Sequence, residues 1–73
     1  MEQPYISIIV CTYNGQAGIE ACMNSIENLQ YPLDKLELIV VNDASTDKTP
    51  TIMNDVAPSL VRKGIAVTLL DNE

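Results

Sequence analysis

Two short polar clusters carry the groups in this chain that could do chemistry. Asn42-Asp43-Ala44-Ser45-Thr46-Asp47 follows the apolar run Leu38-Ile39-Val40-Val41, and Cys11-Thr12-Tyr13-Asn14 follows Ile6-Ser7-Ile8-Ile9-Val10. A buried strand that passes straight into small, hydroxylated and acidic residues ends at the lip of a ligand crevice, because ligands of open α/β sheets sit beyond the carboxyl ends of the strands. Asp43 can accept hydrogen bonds from the imide or ring N–H of a base or from ribose hydroxyls, with Ser45 and Thr46 next in the turn. Tyr13 offers a ring face on which a base can stack and a hydroxyl that needs a partner. Thr12 and Asn14 can present backbone and side-chain groups to a nucleotide.

Each of these residues also has a purely structural use. Asp43 or Asn42 can satisfy backbone amides in the turn, Tyr13 can pack over the sheet edge, and Thr12 and Asn14 can cap the next helix. Asp47 reads as a helix N-terminal carboxylate favoured by the macrodipole rather than as a catalytic group. Asp71-Asn72-Glu73 superficially resembles an acidic metal cluster but lies at a chain end. No residue is assigned as catalytic or as a metal ligand.

The elements that must position these groups follow from hydropathy. Ile6 to Val10 is short, β-branched and apolar apart from Ser7, so it reads as a strand buried on both faces. From about Ala17 to Leu29, Ile19, Cys22, Met23, Ile26 and Leu29 recur at helical spacing. Pro32 ends that helix, and Tyr31 to Lys35 is a connecting loop. Leu36 to Val41 is the second strand. A second helix starts with Thr49 as N-cap and Pro50 at the first helical position, or earlier at Ser45 or Thr46. Its stripe is Ile52, Met53, Val56, Leu60 and Val61, and Pro58 is expected to kink or split it. Gly64 fits the position beyond its end, after Arg62 and Lys63. Ile65 to Leu70 is the third strand, and Asp71-Asn72-Glu73 begins a loop. Strand, helix, strand, helix, strand with short connections implies right-handed parallel crossovers. The expected fold is α/β, Rossmann-like and three-layered, with a short parallel sheet.

Length and charge narrow the function. Seventy-three residues make one small domain, and 47% hydrophobic residues are normal for a globular chain. No apolar run is long enough to span a membrane, and the amino end does not resemble a signal peptide. Ten acidic against four basic residues give a net charge of −6, which repels a nucleic-acid backbone. An anionic nucleotide then needs backbone amides or a metal ion for its positive charge. Cys11 and Cys22 read as reduced, small apolar residues in a reducing, cytosolic compartment. The chain has no His, no GxGxxG after a strand and no GxxxxGK[ST]. A zinc site, a dinucleotide dehydrogenase, a P-loop NTPase and a serine hydrolase are thereby disfavoured.

Ser7-Ile8-Ile9-Val10-Cys11-Thr12-Tyr13-Asn14, Ile19 to Ile26, Tyr31-Pro32 and Leu36 to Thr49, taken together, resemble the amino-terminal part of family-2 glycosyltransferases. That resemblance implies a GT-A fold and sugar transfer from a nucleotide diphosphate to an acceptor hydroxyl, usually with inversion, in polysaccharide or glycoconjugate synthesis. It implies that Tyr13 and Asp43 contact the base, with Cys11, Thr12, Asn14 and Ser45 at the nucleotide pocket. Proline is common at position 11, which argues against a direct role for the thiol. Glycine is common at position 44, so Ala44 should leave the turn intact if its φ is negative.

The family's Asp-x-Asp motif for Mg²⁺ or Mn²⁺ and its catalytic base lie beyond the next helix and strand. The 73 residues are therefore expected to be one partial domain, inactive alone. The partner implied is a nucleotide-diphosphate sugar. Membrane association of a longer protein, at the inner face, is left open. The family topology places the first strand beside a later one, so its edge, Ile6 to Val10, should promote a homodimer or strand-swapped assembly. The alternative reading is a stand-alone nucleotide-binding or self-associating module without catalysis.

Overall fold

The computed structural model describes residues 3–72. Three strands, β1 (Ile6–Thr12), β2 (Leu36–Asp43) and β3 (Ala66–Asn72), form one parallel sheet in the order β1-β2-β3. Helix α1 (Ile19–Asn24) and a 3-10 turn (Ser25–Asn28) join β1 to β2, with a second 3-10 turn at Leu33–Lys35. Helix α2 (Thr49–Arg62) joins β2 to β3. The fold is the expected α/β array of parallel strands and crossover helices.

Strand order explains what the core looks like. Each step moves to the next strand on the same side, so right-handed crossovers put both helices on one face of the sheet. Burial alternates accordingly along β2, where Leu36, Leu38, Val40 and Asn42 are buried and the residues between them are not. Ile19, Met23 and Ile26 from the first crossover and Met53, Val56 and Leu60 from α2 close over them, with Ile65 at the start of the last strand segment. The described residues thus supply two of the expected three layers, one of sheet and one of helices.

Strand β1 departs from the expectation of burial on both faces. Ile8 and Val10 are half-buried toward the helices, but Ile9 is 65% exposed. The register pairs Ile9 with Ile39 of β2, on the face no described element covers. The same face leaves Cys11 exposed and Leu70 48% exposed. Cys22, expected on the apolar stripe, is also exposed on α1, and Leu29 lies outside the helix, 47% exposed.

The first helix is shorter than its apolar periodicity suggests. The Ser25 hydroxyl donates to the Cys22 carbonyl at 2.7 Å, a local bond that competes with helix propagation, and the chain tightens there to 3-10 geometry. The second helix does the opposite and runs unbroken through Pro58. Its cap also differs from expectation. Thr49 is fully buried, and its N–H donates to Asp47 Oδ1 at 2.9 Å, so the capping carboxylate is Asp47 and Pro50 lies one step inside the helix. At the other end Gly64, at φ +101°, donates to Val61 and Ile65 donates to Leu60, which closes the helix in a Schellman turn. Ile65 and Leu60 meet in the core beneath it.

Candidate functional site

All three strands run further than hydropathy indicated, and their carboxyl ends carry Cys11, Thr12 and Asp43 into the sheet itself. Thr12 pairs with Asn42, and Asp43 pairs with Asn72. Asp71 and Asn72 are therefore strand residues rather than the start of a loop, while Glu73 lies outside the described residues.

Side-chain bonds tie the strand ends together. Buried Asn42 donates to Asp71 Oδ1 at 3.0 Å and accepts from the Ser45 N–H at 3.3 Å, so the structural use foreseen for this turn falls to Asn42. Asn72 donates to Asp43 Oδ1 at 3.2 Å. Asp43 is exposed and has no other side-chain hydrogen bond among the described residues, which leaves Oδ2 available to a ligand N–H or hydroxyl. Tyr13 is 65% exposed in the neighbouring loop, so its ring face is open for stacking.

Two clefts lie at the carboxyl ends of the strands, and neither is lined by Tyr13 or Asp43. One, of about 260 Å³, is lined by Cys11, Thr12 and Asn14 together with Gly15 and α1 residues. The other, of about 230 Å³, lies between Asn42, Ser45, Pro50, Asp71 and Asn72. Gly15 sets the shape of the first: a Cβ there would lie 2.4 Å from Thr12 Oγ1, so any larger residue displaces that hydroxyl.

The loops after β1 and β2 bond directly to each other. The Asn14 N–H donates to Ser45 Oγ at 2.8 Å, and the Thr46 N–H donates to Asn14 Oδ1 at 2.8 Å. The Gln16 N–H donates to Asp47 Oδ2 at 3.1 Å, and the Lys48 N–H donates to Gln16 Oε1 at 3.1 Å. Asn14 and Ser45, candidates for ligand contact, thus engage each other. Gln16 and Asn72 carried no signal in sequence. An exposed glutamine looks like any surface residue, and Asn72 acquires meaning only from its register with Asp43.

Two non-glycine residues in these loops have positive φ, Asn14 at 49° and Ala44 at 57°. Asparagine tolerates that region, whereas alanine does so at a cost of about 1–2 kcal/mol. The condition that Ala44 keep a negative φ is not met. Ala44→Gly should relieve this strain, partly offset by the greater freedom of glycine when unfolded. The expected gain is about 0.5–1 kcal/mol, seen as a higher midpoint in urea unfolding. An unchanged or lower midpoint would show that the turn is not strained.

Asp47 has a displaced titration. The Thr49 hydroxyl bond is the main cause, helped by the Thr49 and Gln16 N–H groups and opposed by desolvation, and its pKa lies below the ordinary aspartate value. A depressed folded-state pKa contributes stability that is present above the unfolded-state pKa and lost as pH falls through the folded one. Unfolding midpoints should therefore drop on acidification below the usual carboxylate range, and the slope should be shallower in Asp47→Asn. Identical slopes for both proteins would remove Asp47 from the acid response.

Metal binding finds no support in these side chains. No group of three or more His, Cys, Asp or Glu among the described residues could hold an ion. Asp71 and Asp47 are occupied by amide and hydroxyl donors, and Asp43 stands alone on the other side of the sheet end. No described helix is long and apolar enough to cross a membrane.

Comparison with known proteins gives a consistent result. A family profile described as "Glycosyl transferase family 2" matches residues 7–73. The Bacillus subtilis (strain 168) protein named "Probable glycosyltransferase YdaM" is 41% identical over 54 residues, covering 74% of this chain and 13% of that protein. "Beta-monoglucosyldiacylglycerol synthase" of Nostoc sp. is 39% identical over 54 residues, covering 74% and 12%. Among solved structures, the mannosyltransferase PcManGT from Pyrobaculum calidifontis, in complex with GDP-Man and Mn²⁺, superposes with a TM-score of 0.86 at 38% identity. That match covers 97% of this chain and 20% of the mannosyltransferase. The matched part of the chain therefore spans between 12% and 20% of the length of these proteins.

Proposed function

The chain belongs to family 2 of the glycosyl transferases, and we propose that it forms the donor-nucleotide shelf of an enzyme that moves a sugar from a nucleotide diphosphate to an acceptor hydroxyl in polysaccharide or glycoconjugate synthesis. The observation that carries this reading is the placement of Tyr13 and Asp43 at the carboxyl ends of adjacent strands, both exposed. The loops that hold them are bonded to each other. A ring face and a free carboxylate oxygen at the ends of neighbouring strands suit a base with an N–H on its pairing edge. Cys11, Thr12 and Asn14 border a cleft at the end of β1, where the rest of the nucleotide would lie. Ser45 contributes by fixing Asn14.

Binding of GDP-Man and Mn²⁺ by the similar mannosyltransferase supports a metal-assisted donor site. The side chains described here do not fit a divalent ion, so Mg²⁺ or Mn²⁺ in an intact enzyme would be held by residues other than these. None of them is assigned a chemical step. Calorimetric titration of the chain with UDP, GDP and dTDP, with and without Mn²⁺, tests the proposal. Base-selective binding is expected; a folded chain that binds none of the three in either condition would overturn it.

A second reading is favoured by one observation, the unpaired outer edge of β1. Among the described residues β1 pairs only with β2, and the strand carries the apolar Ile6 and Ile9, both exposed. Such an edge is a template for pairing with another chain. Self-association to a dimer or strand-swapped assembly is expected in sedimentation velocity at rising concentration, with a Lys substitution at Ile9 shifting the protein to monomer. A monomer throughout would sink this reading.

A further inference from the structure

The two loops that carry Tyr13 and Asp43 are 31 or 32 residues apart in sequence at their points of contact, yet they bond in two matched rungs. In each rung one backbone N–H from either loop meets a side-chain acceptor from the other. The first rung joins Asn14 to Ser45 and Thr46. The second, two residues further along both loops, joins Gln16 to Asp47 and Lys48. Tyr13 is thereby bracketed between the last ladder pair, Thr12 with Asn42, and the first rung. Asp43 is bracketed between Asn42 and Ser45, themselves hydrogen-bonded.

Gln16 and Asp47 line neither cleft. Gln16 is exposed, packs in no core cluster, and sends its backbone donor and its side-chain acceptor to the same distant loop. Asp47 faces both ways, accepting from Gln16 on one oxygen and from Thr49 at the start of α2 on the other. The second rung therefore anchors the loop after β1 to the first turn of a 14-residue helix packed in the core.

We propose that Gln16 and Asp47 are positioning residues, a lock that makes the two loops one unit so that the Tyr13 ring and the Asp43 carboxylate meet a base at fixed separation. This rests on the nucleotide-shelf reading above for its functional consequence, but the lock itself is a property of the loops. Without the second rung, binding must order the Tyr13 loop at the same time as it captures the ligand, and immobilising side chains on binding weakens it.

The test compares the full chain with Gln16→Ala, which removes the acceptor for Lys48, and Gln16→Glu, which retains an oxygen there. Nucleotide affinity is read from amide shifts on titration with GDP and UDP, loop order from amide hydrogen exchange, and stability from thermal unfolding. In Gln16→Ala, exchange at Thr46 and Lys48 should rise and affinity should fall about tenfold at a nearly unchanged unfolding midpoint. Gln16→Glu should restore most of both.

Affinity and exchange both unchanged in Gln16→Ala overturn the proposal. So does an affinity loss that Gln16→Glu shares and that tracks a lower midpoint, because that is a structural defect. Should the unmodified chain bind neither nucleotide, the shelf reading is judged separately by the titration with UDP, GDP and dTDP, with and without Mn²⁺, and exchange decides the lock alone. Faster exchange in both loops of Gln16→Ala then supports it, and faster exchange confined to the loop after β1 overturns it.

Discussion

Asp43→Ala should lower affinity for the preferred nucleotide diphosphate about tenfold to hundredfold, the range expected when a hydrogen bond to a charged group, about 1.5–3 kcal/mol, is lost. Asn72 holds Oδ1 of this carboxylate, so the side chain is oriented before any ligand arrives, and Oδ2 is left to accept from a base or ribose. Asp43 is exposed at the last position of its strand, so truncation should change stability by no more than about 0.5 kcal/mol. Loss of binding can then be separated from loss of fold. Asp43→Asn keeps an oxygen acceptor without the charge and should fall between the two. Calorimetry of the three proteins with UDP, GDP and dTDP decides the matter. Equal affinities across them would return Asp43 to the role of a turn residue.

Pro58→Ala should stabilise the fold by about 2 kcal/mol. Proline in a helix interior lacks the N–H for the carbonyl four residues back and crowds it, a penalty of about 3 kcal/mol relative to alanine. Part of that is offset because proline also restricts the unfolded chain, by about 0.4–1 kcal/mol. Pro58 lies well inside α2, at the tenth of its 14 positions, and is exposed, so alanine removes no core contact. In a domain of this size the gain corresponds to roughly 10 °C or more in Tm. Differential scanning calorimetry measures it directly. A Tm that stays level or falls would mean that the exposed ring contributes packing which its solvent exposure does not suggest.

Much of the architecture was legible in the residue order. Short segments rich in Val, Ile and Leu alternating with helical stripes specify parallel strands with crossovers, because no other arrangement buries both patterns through short connections. The boundaries were less legible. Thr12, Asn42, Asp43, Asp71 and Asn72 are polar, so hydropathy ends each strand before them, yet all continue the ladder. Side-chain bonds across the strand ends, Asn42 to Asp71 and Asn72 to Asp43, tie these polar residues together. Pro58 misleads in the other direction. Its local preference breaks helices, but Met53, Val56 and Leu60 are held against the sheet on both sides of it, and packing prevails over propensity.

From sequence alone came the class of fold, the polar strand ends that carry Tyr13 and Asp43, and the family. These depend on residue type and local period, which the chain states directly. Only the tertiary structure decided that both helices cover one face and leave Ile9 on the other exposed, that Ala44 adopts a left-handed turn, and that Asn72 orients Asp43. Only it could show that Gln16 and Asp47 join the two loops. Each of these is a contact or a backbone angle fixed by segments about 30 residues apart meeting in space, and no window along the chain contains both partners.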